Sequence, residues 1–163
     1  MESLNKISTV ASIGGGPIGA GWAAHFLANG LNVKCYLHSE NEIDDYKSLI
    51  KTAWETLEKL GIDKTASLEK MQIFTNLKES LSEVDFVQES IPEILNVKQD
   101  FYSQIDLFLN PSVIIASSTS GLLISDIVKN CNTKDRAIVG HPFNPPYLLP
   151  LVELVASEYT NKL

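Results

Sequence analysis

A base, an amide and an acid lie close together late in this chain: His141 and Asn144 sit in the run Gly140-His141-Pro142-Phe143-Asn144-Pro145-Pro146-Tyr147, and the carboxylate of Glu153 follows. A histidine titrating near neutrality can take a proton from a hydroxyl, and a neighbouring carboxylate can fix the ring's tautomer and stabilise its charged form. The combination points to chemistry as well as binding. Its plainer alternative is a turn at His141-Pro142 with Glu153 facing solvent from a strand. Two further polar clusters precede it, residues 89–93 and 117–120.

Such groups need a scaffold to bring them together, and the N-terminal segment carries the clearest sign of one. Val10-Ala11-Ser12-Ile13 is an apolar strand pattern that breaks into Gly14-x-Gly16-x-x-Gly19, with Gly21 beyond. This is the spacing of a dinucleotide-binding turn. Gly14 would allow the tight turn, Gly16 would let the backbone approach a pyrophosphate, and Gly19 would let the helix pack close to the strand. Pro17 suits the first helical position, and Ile18 follows it at the same phosphate-facing end. The helix predicted through Trp22, Ala23, Phe26 and Leu27 stops at Asn29-Gly30, so its free N–H groups face the phosphates. A glycine pattern alone is weak evidence. Here it lies between a strand and a helix, with another strand expected over 32–37, and that favours dinucleotide binding over an ordinary glycine turn.

The rest of the chain alternates helical and strand patterns without repeats or low-complexity linkers, which is an α/β signature. Ile43, Tyr46, Ile50, Ala53, Leu57 and Leu60 recur at helical spacing up to Gly61. Strands are expected over 71–75, 84–89, 113–117 and 137–140, with helices over 94–108 and 124–128. In such sheets ligands bind beyond the carboxyl ends of the strands, and the three polar clusters fall there. Glu40, Glu42, Asp44 and Asp45 read as a solvated first helical turn, where acids suit the helix dipole.

Composition agrees with one compact domain spanning 1–163. The chain is 44% hydrophobic and 20% charged, and its formal charge of -7 disfavours nucleic acid and anionic membranes as partners. No segment reads as a signal peptide or membrane span. Cys35 and Cys131 are isolated, which suits neither a zinc site nor a redox pair, so both are expected to be packing residues in a reduced, cytoplasmic setting, and no metal site is expected.

Over residues 7–155 the chain resembles the N-terminal domain of the 3-hydroxyacyl-CoA dehydrogenase superfamily. Gln88-Glu89-Ser90-Ile91-Pro92-Glu93, Ser117-Ser118-Thr119-Ser120-Gly121-Leu122, the His141 run and Leu148-Leu149-Pro150-Leu151-Val152-Glu153 resemble the L-carnitine 3-dehydrogenase and L-gulonate 3-dehydrogenase (lambda-crystallin) branch more than the acyl-CoA branch. Acyl-CoA members usually carry Phe where this chain has Pro142, and many have Asn at Ser118. The resemblance implies a Rossmann-type, mostly parallel doubly wound sheet with a terminal strand after the sixth.

It further implies hydride transfer from the 3-hydroxyl carbon of a small 3-hydroxy acid to NAD, with a 3-hydroxyacyl-CoA as the alternative substrate. His141 would be the general base and Glu153 its partner. Ser120 would bond the substrate oxygen, Asn144 would hold substrate or nicotinamide, and Ser118, Glu93 and Lys98 would lie at the cofactor, the last two at the nicotinamide ribose. Ser120-Gly121 also reads as a cap or turn, and Lys98 as a helix-surface charge. Within the resemblance, the match of His141 and Glu153 in type and spacing favours the catalytic pair over the turn.

Two departures stand out. Leu37 falls where the fingerprint expects an acid for the adenosine ribose, leaving His38 or Ser39 to touch the cofactor; no Arg follows to pair with a 2′-phosphate, so NAD is expected, with NADP open. The family's helical second domain, which closes the substrate site, supplies a further Asn and makes the homodimer, has no counterpart before Leu163. The chain by itself is therefore expected to bind NAD(H) but be inactive, either as part of a longer enzyme or as a non-catalytic NAD(H)-binding remnant.

Overall fold

The computed structural model describes residues 7–160; the ends of the expected 1–163 domain, residues 1–6 and 161–163, lie outside the described residues. Short apolar runs form β1 (Thr9–Ile13), β2 (Asn32–Tyr36), β3 (Met71–Phe74), β4 (Phe86–Glu89), β5 (Ile114–Ser117), β6 (Ala137–Pro142) and β7 (Val152–Val155). Between them lie α1 (Pro17–Ala28), α2 (Ile43–Leu60), α3 (Leu77–Ser80), α4 (Leu95–Ile105) and α5 (Ile124–Ile127). The strands join in one sheet, in the order β3-β2-β1-β4-β5-β6-β7. All neighbours from β3 to β6 are parallel, and β7 returns antiparallel along β6. Parallel neighbours need crossover connections, which the helices supply. The chain runs outward from β1 to β3 and then crosses back to β4, so the strand order reverses between β1 and β4, where a crevice opens.

Each face of the sheet has its own core. Ala20, Ala23, Ala24 and Leu27 of α1 pack with Val33, Cys35, Tyr46, Ile50 and Trp54, and the small alanines let α1 lie close to α2. On the other face Tyr102, Ile105, Ile124 and Ile127 cover Ala11, Ile13, Val87, Ile115 and Val139. Burial of each large apolar side chain contributes about 1.5 to 3 kcal/mol before the entropy cost of ordering the chain. Both cysteines are buried and free, and burial pushes their thiols up, to about 12 for Cys35 and about 11 for Cys131. They are packing residues, as expected.

Some boundaries differ from the sequence expectation. Pairing of β4 begins at Phe86 because the chain first turns through Glu83 at a positive φ of 52°. α4 stops at Ile105, short of the expected 108, and α3 had no clear signal in its short polar segment.

Candidate active site

The glycine turn is built by close approach. Gly14 adopts φ 117°, and a Cβ there would stand 2.5 Å from the Ser90 carbonyl oxygen. A Cβ on Gly19 would stand 2.1 Å from the Gly14 carbonyl oxygen, so only glycine lets α1 start this close to the turn. At Gly16 a Cβ would meet nothing within 4 Å, which leaves that backbone open to a ligand. α1 has no side-chain cap and no acid in its first turn, so the free N–H groups at Ile18 and Gly19 keep their pull on an anion.

These residues form one wall of a cleft of about 860 Å³ that also takes in Pro17, Tyr36, His38, Glu42, Pro92 and Phe101. A neighbouring hollow of about 270 Å³ is lined by Glu93, Ser118, Ser120, His141, Pro142 and Asn144. Ile18, Ser90 and Ile91 belong to both, so cleft and hollow meet across the ends of β1 and β4. The long cleft, with its glycine-lined turn, has the size and open backbone a dinucleotide requires.

The antiparallel return of β7 explains how two residues far apart in sequence meet. His141 and Glu153 are register partners, and the imidazole Nδ1 lies 2.9 Å from Glu153 Oε2. That contact leaves Nε2 for proton transfer. The His141 side chain is 31% exposed and that of Glu153 58%, so the pair is open to water in this chain. Ahead of it, a Cβ on Gly21 would come within 2.9 Å of Pro146 Cδ; glycine there seats the loop that carries Asn144 against α1.

Hydrogen bonds tie the other strand ends to the hollow. Gln88 donates to Ser118 Oγ at 2.9 Å and to the Gly140 carbonyl at 3.3 Å, while Ser90 and Ser118 share a bond of 2.8 Å. Glu93 accepts from the Thr119 hydroxyl at 2.6 Å and from the N–H groups of Ser120 and Gly121 at 2.9 and 3.2 Å. Burial works against its charge, but these donors and the nearby Lys98 ammonium outweigh that and hold its carboxyl below the usual range. Ser120 lines the hollow, and both its N–H and, at 3.5 Å, its hydroxyl donate to Glu93.

Lys98 does not reach the wall of the cleft or the hollow, and it is not a surface charge either. It is 1% exposed, and its ammonium lies against Glu89, the Ile91 carbonyl and, at 3.7 Å, Glu93. Glu89, fully buried, also accepts from the Ser117 and Tyr102 hydroxyls and from the Ile91 N–H. This buried network fixes the chain from Ser90 to Glu93, and sequence reasoning missed it. The available signal was a Gln-Glu pair ending an otherwise apolar strand, since a buried carboxylate must find donors.

At the other end of the cleft, Leu37 is 0% exposed and packs in the α1–α2 core, and its N–H still reaches the Phe74 carbonyl at 3.0 Å. His38 lines the cleft, whereas Ser39 accepts from the Asn41 N–H and caps the short turn before α2. Glu42 is half-buried and lines the cleft, which corrects its reading as part of a wholly solvated turn; Glu40, Asp44 and Asp45 are exposed.

Among the described residues no group of His, Cys, Asp and Glu is placed to hold a metal, and no helix is long and apolar enough to cross a membrane.

Known proteins share this fold. The chain is 41% identical over 160 residues to an L-carnitine dehydrogenase of Streptomyces coelicolor, covering 98% of this chain and 50% of that protein. It is 40% identical to the L-carnitine dehydrogenase of Pseudomonas putida, covering 99% and 50%. It thus spans about half the length of these curated relatives. Among solved structures, the (S)-3-hydroxybutyryl-CoA dehydrogenase of Ralstonia eutropha superposes with a TM-score of 0.86 at 30% identity, over 95% of this chain and 56% of that one. The 3-hydroxybutyryl-CoA dehydrogenase of Escherichia coli gives a TM-score of 0.87 at 26% identity, over 96% and 34%. Residues 9–163 match the family described as 3-hydroxyacyl-CoA dehydrogenase, NAD binding domain, and the chain belongs to that family.

Proposed function

We propose that this chain is the cofactor half of a dehydrogenase that oxidises the 3-hydroxyl of a small 3-hydroxy acid of the L-carnitine kind. The observation that carries the reading is the His141–Glu153 contact of 2.9 Å at a hollow continuous with the glycine-lined cleft. The glycine turn and the start of α1 hold the pyrophosphate, and Ser118 and Glu93 stand where the nicotinamide end arrives. Bound NAD supplies the hydride acceptor. Nε2 of His141 takes the hydroxyl proton, and Glu153 holds the ring and stabilises its positive charge. Ser120 bonds the substrate oxygen, and Asn144 positions the substrate or the nicotinamide. Lys98 acts as a positioning residue, holding the Ser90–Glu93 segment through Glu89. The choice of L-carnitine over an acyl-CoA follows the relatives near 40% identity, which are L-carnitine dehydrogenases. Function as a homodimer in the cytoplasm belongs to the same proposal.

The test is NADH formation by the whole protein containing this chain, offered L-carnitine, L-gulonate and a 3-hydroxyacyl-CoA. The expected result is preference for L-carnitine, lost on His141→Ala. Preference for the acyl-CoA would move the reading to the alternative substrate class, and no turnover of any of the three, with NADH still bound, would favour a non-catalytic binding role.

A further inference from the structure

We infer that Glu42, reaching the cleft from the turn before α2, replaces the acid absent at Leu37 as the group that reads the adenosine ribose and rejects a 2′-phosphate. This rests on the reading of the cleft as a dinucleotide site. The Glu42 Oε2 atom lies 2.3 Å from where a Cβ on Gly15 would stand, with the Leu37 Cδ2 atom 3.3 Å from the same point. The carboxylate therefore stands over the glycine turn, beside the leucine that fills the usual acidic position. This gives Gly15, the middle of three consecutive glycines, a purpose that the Gly14, Gly16 and Gly19 spacing does not explain, because any side chain there would push the carboxylate aside.

The short turn before α2 makes this delivery possible. Ser39 caps it by accepting the Asn41 N–H, the Glu42 N–H bonds the Ser39 carbonyl at 3.1 Å, and Glu42 ends the turn at the mouth of α2. Among the described residues the Glu42 carboxylate accepts no hydrogen bond and enters no ion pair, so both oxygens are free for ribose hydroxyls. Tyr36 lines the same cleft, and its hydroxyl is pushed up by burial and then by the Glu42 charge; His38 and Asp100 are the other titratable groups along it. Among the described residues no lysine or arginine lines this cleft to welcome a 2′-phosphate, while the carboxylate would repel one.

The experiment is titration of NADH and, separately, NADPH into the wild-type chain, Glu42→Ala and the exposed-turn control Glu40→Ala, with thermal melts of all three. Loss of a charged acceptor for a ribose hydroxyl should weaken NADH about 10- to 100-fold. NADPH affinity should hold or rise, so the NADH to NADPH preference falls, and Glu40→Ala should match wild type. A general disturbance of the turn would weaken both cofactors equally and leave the preference unchanged, which would overturn the inference. So would a wild type that prefers NADPH. Failure of wild type to bind either cofactor would overturn the dinucleotide reading itself, and the role of Glu42 with it.

Discussion

Lys98→Met tests the buried network beneath the cofactor cleft. Lys98 and Glu89 are 1% and 0% exposed, and removing one partner of a buried ion pair generally costs about 3 to 5 kcal/mol, because the other charge stays behind in a poor solvent. In this chain Glu89 would keep three donors: the Ser117 and Tyr102 hydroxyls and the Ile91 N–H. These soften the loss, so the lower end, about 3 kcal/mol, is expected. For a domain of this size that corresponds to a fall in Tm of about 6 to 12 °C. Adding Glu89→Gln removes the stranded charge and should recover at least half of the fall. Differential scanning calorimetry gives both numbers. NADH affinity, measured well below Tm, should change less than about tenfold, since the ammonium does not line the cleft. A single variant melting within about 2 °C of wild type would refute the network's structural weight. A loss of NADH affinity greater than that, with Tm unchanged, would return Lys98 to direct cofactor contact.

Three other outcomes are expected. In the whole protein, His141→Ala should lower kcat by about 100- to 10,000-fold while NADH affinity stays near wild type, and Glu153→Gln should lower kcat by a smaller factor; stopped-flow assays that find near-normal chemistry in either would place the base elsewhere. Leu37→Asp puts a carboxylate at a fully buried position, so calorimetry should show a lower Tm, and with Glu42 already over Gly15 the NADH affinity should not improve beyond about threefold; a clear gain by titration would return ribose recognition to position 37. The third concerns pH. Burial opposes the Asp106 charge, but the N–H groups of Asn132 and Thr133 and the Arg136 guanidinium outweigh it and hold the carboxyl below its ordinary 3.8. A depressed carboxylate stabilises the fold above its unfolded value, and that contribution is lost as pH falls through the lower folded value. Urea midpoints should therefore drop between about pH 5 and pH 3, and less steeply in Asp106→Asn; an equal slope in both would show that Asp106 does not carry the effect.

The sheet and the turn of Gly14 to Gly19 were legible in sequence because their signals are local: period, spacing and a proline at the helix start. The meeting of His141 with Glu153 was legible only as a matched pair of types; the antiparallel register that joins them is a property of two strands together. Lys98 and Glu42 show where sequence reading ran out. Both are charges on or near helices, and periodicity cannot say whether a long side chain folds inward to a partner or over a cleft. Leu37 was legible as a departure from the fingerprint, but not that its side chain turns into the core.

A crystal structure of this chain with NADH tests the central claim most directly. The account predicts the pyrophosphate on the N–H groups at the start of α1, the adenosine ribose at Glu42, and the nicotinamide in the hollow between Ser118 and His141. A dinucleotide bound with its nicotinamide end away from that hollow, or no dinucleotide in the cleft at all, would contradict it.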